Sequence, residues 1–339
     1  MNLNNKKTYI IAEIGVNHNG SYRRAINLIN LAKKSNADAV KFQIFKSEKI
    51  VTKKAELANY QKKNLPKKQS QFNLLKKLEM SYCNLKKLKK FAEKSKLDFI
   101  CSAFDVESLS FLRSINLEVY KIPSGEINNY PYLKAIGKFK KKLILSTGMS
   151  NLKEIKNAIK ILTLNGTKLN QISILQCNTE YPTPLKDVNL NVIFTLKEAF
   201  KKNNIGFSDH TKGIEIPMAA VSMGANIIEK HFTSSKKLAG PDHKASSDPK
   251  EFALMVKNIR NIEKAKGSYI KAITKSESKN IRNIRKSIVA NKNIKKGEVF
   301  TEKNITTKRP GKGLSPMQWK NIIGKRSRFN FKEDECIKI

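Results

Sequence analysis

Three short segments set the architecture of this chain: GFSDHTKG at residues 206–213, IIEKHF at 227–232 and AGPDH at 239–243. Residues 204–208 and 226–231 are short apolar runs typical of buried strands. His210 comes just after the first run, and His231 ends the second. If the two strands are parallel neighbours, both imidazoles lie side by side at one end of a sheet.

These two histidines allow two interpretations. A histidine at a strand end is often a structural residue that is held by hydrogen bonds. A pair of neutral imidazoles at one sheet edge is also a suitable site for a divalent metal. Two of the four histidines in the chain occupy these positions, beside Asp209 and Glu229. This favours a metal site without excluding a structural role.

The chain repeats one pattern: a short β-branched run, one or two polar residues, and a longer amphipathic segment. This alternation predicts parallel βα units. The predicted strands span residues 9–14, 39–42, 98–101, 119–122, 143–145, 172–175, 204–208 and 226–231. Eight such units within about 265 residues indicate the α/β class and, within it, a (β/α)8 TIM barrel.

In a TIM barrel the active site lies at the carboxyl ends of the strands, and here polar residues stand at or just past each predicted end. These residues are Glu13, Lys41, Ser102, Lys121, Ser124, Ser146, Thr179, Ser208, His210, Glu229 and His231. Lys41 and Lys121 lie within apolar strands, where an ammonium group is costly to bury unless an anion pairs with it. Together with the hydroxyl groups they predict a pocket for a small, multiply charged anion. For any single serine, the alternative is capping of the following helix.

The character of the sequence changes after residue 267. We expect residues 1–267 to form the barrel domain and the charged, Ser-, Asn- and Lys-rich residues 268–284 to form a linker. Residues 285–339 show short strand patterns separated by turns. They predict a small module that packs on the barrel or on a partner subunit.

Composition narrows the classes of function. The chain has 339 residues and a formal net charge of +39, which is compatible with a basic nucleic-acid-binding protein. The lysines are spread over nearly every predicted helix and no nucleic-acid motif appears, which favours a compositional bias and no nucleic-acid partner. The sequence contains no run of about twenty apolar residues, so we expect no membrane span. The four cysteines are widely spaced and form no CxxC pair, which indicates a reduced, cytoplasmic protein.

Several further motifs are weak singly, but their order and spacing are specific. They are IAEIGVNHNG at 11–20, VKFQ at 40–43, KIPSGE at 121–126, LSTGM at 145–149, YPTP at 181–184, FSDHT at 207–211, EKHF at 229–232, GPDHKAS at 240–246 and KRPG at 308–311. Together they resemble the sialic acid synthases and the related legionaminic acid synthases over nearly the whole chain. The resemblance implies a (β/α)8 barrel followed by a small SAF domain, also called antifreeze-like.

The reaction implied by this resemblance is a condensation of phosphoenolpyruvate with an N-acylated aminohexose. It yields a nine-carbon 2-keto acid and releases inorganic phosphate. The resemblance also implies a Mn²⁺ or Mg²⁺ ion held by His210 and His231, which would act as a Lewis acid on the open-chain sugar aldehyde.

Roles for individual residues follow from the same resemblance. The positions that match the family's phosphoenolpyruvate pocket are Lys41, Ser102, Lys121, Ser124, Ser146, Thr179 and Ser208. Some sialic acid synthases carry asparagine where this chain has Thr179. Glu13, Tyr181 and Asp242 match the sugar side and are candidate catalytic residues. Glu126 is a further candidate acid or base.

The resemblance further implies a domain-swapped homodimer, in which the SAF domain of one subunit covers the barrel mouth of the other. Arg309 matches the arginine that reaches across to the N-acyl group of the sugar.

The sugar itself is less constrained. NTEYPTP at 178–184 and GPDHKAS at 240–246 look more like the legionaminic branch, which uses 2,4-diacetamido-2,4,6-trideoxymannose in place of N-acetylmannosamine. An alternative enzyme is another metal-dependent phosphoenolpyruvate-utilising synthase of keto-deoxy sugar acids. The non-enzymatic alternative is the basic nucleic-acid-binding protein considered above.

Overall fold

The computed structural model describes residues 7–57, 61–62 and 70–339. The chain divides into two compact units, Met1–Gly267 and Ser268–Ile339. The first unit contains a closed barrel of eight strands, in which every neighbouring pair is parallel and β8 pairs with β1. The strands are β1 (Tyr9–Gly15), β2 (Ala39–Ile44), β3 (Asp98–Ala103), β4 (Val119–Ile122), β5 (Lys142–Ser146), β6 (Ile172–Cys177), β7 (Asn204–Asp209) and β8 (Ile227–His231). The predicted (β/α)8 barrel is confirmed.

Helices follow each strand of the barrel. They are α1 (Tyr22–Lys34), α2 (Ser47–Ile50), α3 (Gln71–Leu78), α4 (Tyr82–Lys94), α5 (Val106–Ser114), α6 (Tyr130–Gly137), α7 (Leu152–Leu164), α8 (Val192–Ala199), α9 (Glu215–Ser222) and α10 (Pro249–Ala265). Local sequence explains both their starts and their packing. Asn151 and Glu154 form a capping box at the start of α7. In α10, Phe252, Met255 and Ile259 recur at helical spacing and are buried.

Because side chains alternate along each strand, the barrel has one apolar layer outside it, against the helices, and another in its interior. Outward side chains such as Ile10 and Ile14 pack in the main core, which also contains buried residues of the surrounding helices. Inward side chains form an apolar layer of Tyr9, Ile11, Ala39, Ile100, Val119, Ile144, Leu175 and Ile227. At Gly206 of β7 a Cβ atom would lie 2.6 Å from the Ile227 carbonyl oxygen, so this layer has no room for a side chain there.

Two residues further along the strands, the inward positions become polar. They are Glu13, Lys41, Ser102, Lys121, Ser146, Cys177, Ser208 and Glu229. The apolar layer therefore closes the barrel interior, and the polar layer above it forms the floor of a site.

The second unit, Ser268–Ile339, contains the antiparallel strands β9 (Ser287–Ala290) and β10 (Ile305–Lys308). Its helices are α11 (Lys275–Ile284) and the short α12 (Trp319–Ile322). Its own core consists of Ile288, Ala290, Ile294, Phe300, Ile305, Ile322, Phe331 and Ile337.

Helix α11 lies inside the segment that the sequence predicts to be a linker. Thr274 and Glu277 form a capping box that starts this helix, a local signal that the polar composition of the segment obscured. In the part of the chain that the structure describes, no helix is long and apolar enough to span a membrane.

Candidate active site

A cavity of about 150 Å³ lies at the carboxyl ends of the barrel strands. Ten residues that the sequence predicts as site residues line it: Glu13, Lys41, Lys121, Ser124, Ser146, Thr179, Tyr181, Ser208, His210 and His231. The remaining lining comes from Gln43, Phe104, Pro123, Gly125, Cys177 and Glu229. The structure thus gathers side chains from strands spread around the whole barrel into one place.

The floor of the cavity is a buried network of two ammonium groups and two carboxylates. Lys41 Nζ lies 3.2 Å from Glu13 Oε2 and 3.4 Å from Glu229 Oε1. Lys121 Nζ lies 3.5 Å from the same oxygen of Glu229. Each of these side chains is at most 5% exposed, so each charge needs a partner. The lysines predicted as anion-binding groups are therefore already paired within the protein.

The two carboxylates of this network differ in acidity. Burial alone would raise the pKa of Glu229, but the Lys121 and Lys41 ammonium groups outweigh it and hold the pKa at about 2. Burial raises the pKa of Glu13 by more than the nearby Lys41 ammonium lowers it. The negative charge of Glu229 raises this pKa further. Glu229 is thus held ionised, while Glu13 is the carboxyl that can more readily carry a proton.

Serine hydroxyl groups form further hydrogen bonds with the charged side chains of this network. Lys121 Nζ donates a hydrogen bond of 2.6 Å to Ser146 Oγ, and Ser208 Oγ donates one of 3.0 Å to Glu229. Ser102 Oγ lies 3.5 Å from Lys41 Nζ but does not line the cavity.

Helix capping does not account for these serines. Asp105, Asn129 and Asn151 cap the helices that follow β3, β4 and β5. Ser124 Oγ instead accepts a hydrogen bond of 3.0 Å from Gly148 N and lies 3.2 Å from Cys177 Sγ. Ser124, Ser146 and Ser208 therefore line the cavity and do not serve as helix caps.

His210 and His231 meet at the cavity wall, with ring centroids 5.4 Å apart and planes inclined by 58°. The Tyr181 ring lies 4.1 Å from that of His210 and 5.5 Å from that of His231. Burial lowers the pKa of His210 to about 4 and that of His231 well below its usual value, so both rings are neutral near pH 7.

The nitrogen atoms of this pair fit a metal centre. His210 Nδ1 donates a hydrogen bond to the Asn178 carbonyl oxygen, which leaves Nε2 as an acceptor. His231 Nδ1 is buried without a hydrogen-bond partner. Among the described residues, no three or more His, Cys, Asp or Glu side chains are grouped to hold a metal. The pair would therefore supply two ligands and leave the other positions to water or substrate.

Besides Ser102, three predicted site residues lie outside the cavity lining. Glu126 belongs to a 3₁₀ turn, Ser124–Glu126, and its carboxylate accepts a hydrogen bond of 2.6 Å from Asn129 Nδ2. Asp242 is buried, and burial together with the charge of Glu13 raises its pKa to about 7. Arg309 belongs to the second unit, where it is exposed.

Sequence reasoning missed several lining residues. Glu229 contacts both lysines, which its position at a strand end does not reveal. Gln43 donates a hydrogen bond of 2.9 Å to Glu13 Oε1. Its position two residues after Lys41 was a usable signal, because both side chains must face the barrel interior.

A model of the NeuB family matches residues 28–271, and a model of the SAF domain matches residues 285–339. The chain belongs to the NeuB family. The family membership and the SAF domain that the sequence predicts are thereby confirmed.

Three relatives of this NeuB-family chain carry the name of a synthase or synthetase. N,N'-diacetyllegionaminic acid synthase of Campylobacter jejuni is 50% identical over 98% of this chain and 99% of that protein. The protein of the same name from Legionella pneumophila is 42% identical over 95% of this chain and 91% of that protein. The crystal structure of N-acetylneuraminic acid synthetase from Leptospira borgpetersenii, in complex with citrate, matches with a TM-score of 0.71 and 34% identity, over 81% of this chain and 90% of that one.

Proposed function

We propose that this NeuB-family protein is a nonulosonic acid synthase, a transferase that condenses phosphoenolpyruvate with an N-acyl aminohexose and releases phosphate. The observation that carries the proposal is one cavity that joins Lys41 and Lys121 to the His210–His231 pair. The reaction joins an anion to an aldehyde. The two lysines are suited to bind the anion, and a metal held by the two histidines would be suited to polarise the aldehyde. The legionaminic acid synthases among the relatives agree with the function that the sequence predicts.

Phosphoenolpyruvate would bind by taking over part of the existing charge network. Lys41 and Lys121 share one oxygen of Glu229, so neither ammonium has that partner to itself. An incoming phosphate or carboxylate oxygen can join them without leaving a buried charge unpaired. The residues proposed to hold phosphoenolpyruvate are Lys41, Ser102, Lys121, Ser124, Ser146, Thr179 and Ser208. Ser102 would act through its contact with Lys41.

Bond formation needs one proton and one water molecule. The C3 carbon of phosphoenolpyruvate forms a bond with the aldehyde carbon, whose oxygen takes up a proton. Water then adds at C2 and releases one proton, which replaces the proton taken up by the aldehyde oxygen. The tetrahedral intermediate loses phosphate by C–O cleavage, and its C2 hydroxyl proton passes to the phosphate to leave the 2-keto acid. Glu13 is our candidate proton source, because its raised pKa lets it carry a proton within the cavity. Asp242 is the second candidate, and Tyr181 lies on the sugar side.

The metal proposed for His210 and His231 is Mn²⁺ or Mg²⁺. When bound, it would supply Lewis-acid polarisation of the sugar carbonyl. The chain's contribution is the neutral state of both imidazoles and the Asn178 carbonyl, which fixes the tautomer of His210. Tyr181 packs against both rings and shields one side of the pair.

The sugar-side role of Arg309 depends on a second subunit. We propose a domain-swapped homodimer in which Arg309 of one subunit reaches the N-acyl group of the sugar in the other. The exposure of this guanidinium leaves it available for such a contact. Cys83, Cys101, Cys177 and Cys336 form no disulfides among the described residues, and we propose a cytoplasmic location, where such thiols stay reduced.

We propose 2,4-diacetamido-2,4,6-trideoxymannose as the sugar, in preference to N-acetylmannosamine. The 50% identity to a legionaminic acid synthase along nearly the whole of both chains supports this choice. The test measures phosphate released from phosphoenolpyruvate with Mn²⁺ and each sugar in turn. We expect faster release with the diacetamido sugar and, at equal enzyme concentration, very little with the Lys121→Met variant.

Release with N-acetylmannosamine alone would change the assigned sugar. Release with a phosphorylated aldose and neither aminohexose would instead support another phosphoenolpyruvate-dependent synthase of keto-deoxy sugar acids.

A further inference from the structure

A buried ion pair stands directly beside the two candidate metal ligands, on the outer face of the barrel. Asp209 is the last residue of β7 and directly precedes His210, and Lys230 precedes His231 in β8. The two residues are cross-strand partners. Their side chains are 0% and 1% exposed. By strand alternation they point away from the cavity, while Ser208, Glu229 and His231 point into it.

The ammonium of this pair connects to both neighbours of His210. Lys230 Nζ donates to Asp209 Oδ2 and, at 3.0 Å, to the carbonyl oxygen of Thr211. Asp209 Oδ1 in turn accepts hydrogen bonds from Thr211 N at 2.9 Å and Thr211 Oγ1 at 2.8 Å. A side chain next to His231 therefore holds the residues on each side of His210.

This bridge begins where the strand pairing stops. The register between β7 and β8 ends at Asp209 and Lys230, so His210 lies beyond it. His231 is still in register with Glu13 of β1. The described hydrogen bonds of His210 go to the loop after β6, where its ring donates to the Asn178 carbonyl oxygen and its own carbonyl accepts a 2.9 Å hydrogen bond from Thr183 N. The Asp209–Lys230 bridge thus continues the link between β7 and β8 to the level of the two imidazoles.

Stability alone does not explain a buried pair at this place. Taking both charges out of water costs free energy, and apolar residues of similar volume often give equal or greater stability. What an apolar pair lacks is directional bonds to Thr211. We propose that Asp209 and Lys230 are positioning residues that set the spacing and orientation of His210 and His231 for metal binding. This inference rests on the proposed metal centre.

The test is Mn²⁺ binding to the full-length protein without substrates, followed by the electron paramagnetic resonance signal of free Mn²⁺. The informative variant is Asp209→Asn with Lys230→Met, which removes both charges together and leaves no unpaired ion. We expect its metal-free melting temperature to stay near that of the wild type. We expect its dissociation constant for Mn²⁺ to rise on the order of 10- to 100-fold. Wild-type affinity in the folded double variant would overturn the inference.

Thr211→Val is the second variant, should the double variant not fold. It keeps the ion pair and the side-chain shape but loses the hydroxyl that orients the Asp209 carboxylate. We expect Mn²⁺ binding to weaken about 2- to 10-fold, the effect of one hydrogen bond. Unchanged affinity in this variant would equally overturn the positioning role.

Two controls separate the possible failures. Asp38→Asn breaks the 2.9 Å ion pair with Arg260 at the opposite end of the barrel. It should lower the melting temperature and leave Mn²⁺ affinity unchanged. If Asp38→Asn lost as much Mn²⁺ affinity as the Asp209 double variant, general destabilisation would explain both losses and the positioning role would be rejected. His210→Ala should abolish binding in the wild-type background. If it does not, the proposed metal centre itself is wrong, whatever the result at Asp209.

Discussion

Lys121 Nζ lies 3.5 Å from Glu229 Oε1, although β4 and β8, which carry them, are not neighbours in the barrel. The contact crosses the barrel interior. The same carboxylate oxygen also lies 3.4 Å from Lys41 Nζ of β2 and accepts a hydrogen bond from Ser208 of β7. Glu229 of β8 therefore contacts side chains of β2, β4 and β7 at the floor of the cavity. Its negative charge neutralises part of the positive charge that would bind an anionic substrate.

Replacing Glu229 with glutamine should leave two buried ammonium groups with Glu13 as their remaining carboxylate. We expect the free energy of unfolding to fall by about 3–5 kcal/mol, the usual cost of breaking a buried pair. Inorganic phosphate should raise the melting temperature of the variant more than that of the wild type, because the anion restores the charge balance. Thermal unfolding with and without phosphate measures both effects. Glu126→Gln, outside the cavity lining, serves as control, and equal phosphate shifts in all three proteins would contradict the prediction.

Replacing Lys121 with methionine should remove a charged donor from the proposed phosphoenolpyruvate site while keeping most of the side-chain volume. We expect kcat/KM for phosphoenolpyruvate to fall about 100- to 1,000-fold, comparable to the loss of one preorganised donor. The KM for the sugar should change little, since the sugar is assigned to the histidine side. Steady-state kinetics with each substrate varied in turn gives the two numbers. Lys134→Met removes an exposed lysine of α6 and should behave like the wild type.

The carboxyl group of Asp242 should make stability depend on pH. Its ordinary pKa of 3.8 is raised to about 7 by burial, with a further contribution from Glu13. Between these values the folded chain holds a proton that the unfolded chain has released. The stabilising contribution is therefore complete at low pH and declines as pH rises towards 7, by at most about 1.4 kcal/mol per pH unit.

Asp242→Asn removes this titration, so the variant should gain stability relative to the wild type as pH rises from 5 to 8. Urea unfolding of the metal-free proteins at several pH values measures the difference. A difference that stays constant over this range would show that Asp242 does not titrate there.

The period-two pattern of the strands made much of this site predictable. Lys41, Lys121 and Ser146 each lie two residues after an inward apolar residue, so their orientation into the barrel follows from the sequence alone. Their common edge follows from the parallel βα repeat. These regularities fixed which end of the barrel carries the site and most of its lining.

Contacts across the barrel could not be predicted in the same way. Nothing in the sequence links Glu229 to Lys121, because their strands do not pair and only barrel closure brings them together. The sequence indicates that the buried Lys41 and Lys121 each need an anionic partner, but it does not show that Glu229 pairs with both. Local backbone geometry also matters, since the turn Ser124–Glu126 directs the Glu126 carboxylate to Asn129 and away from the cavity lining.

Arg309 provides the test of the proposed domain swap. We expect Arg309→Ala to weaken use of the sugar while sparing phosphoenolpyruvate, and Lys121→Met to be nearly inactive. In a swapped dimer of one subunit of each kind, the barrel with intact Lys121 is covered by the SAF domain with intact Arg309. Mixing the two variants under conditions that exchange subunits should therefore restore up to about a quarter of wild-type activity at saturating phosphoenolpyruvate and low sugar concentration. If each SAF domain instead serves its own barrel, no intact site can form. Activity in the mixture would then equal the average of the two variants, and the swapped arrangement would be rejected.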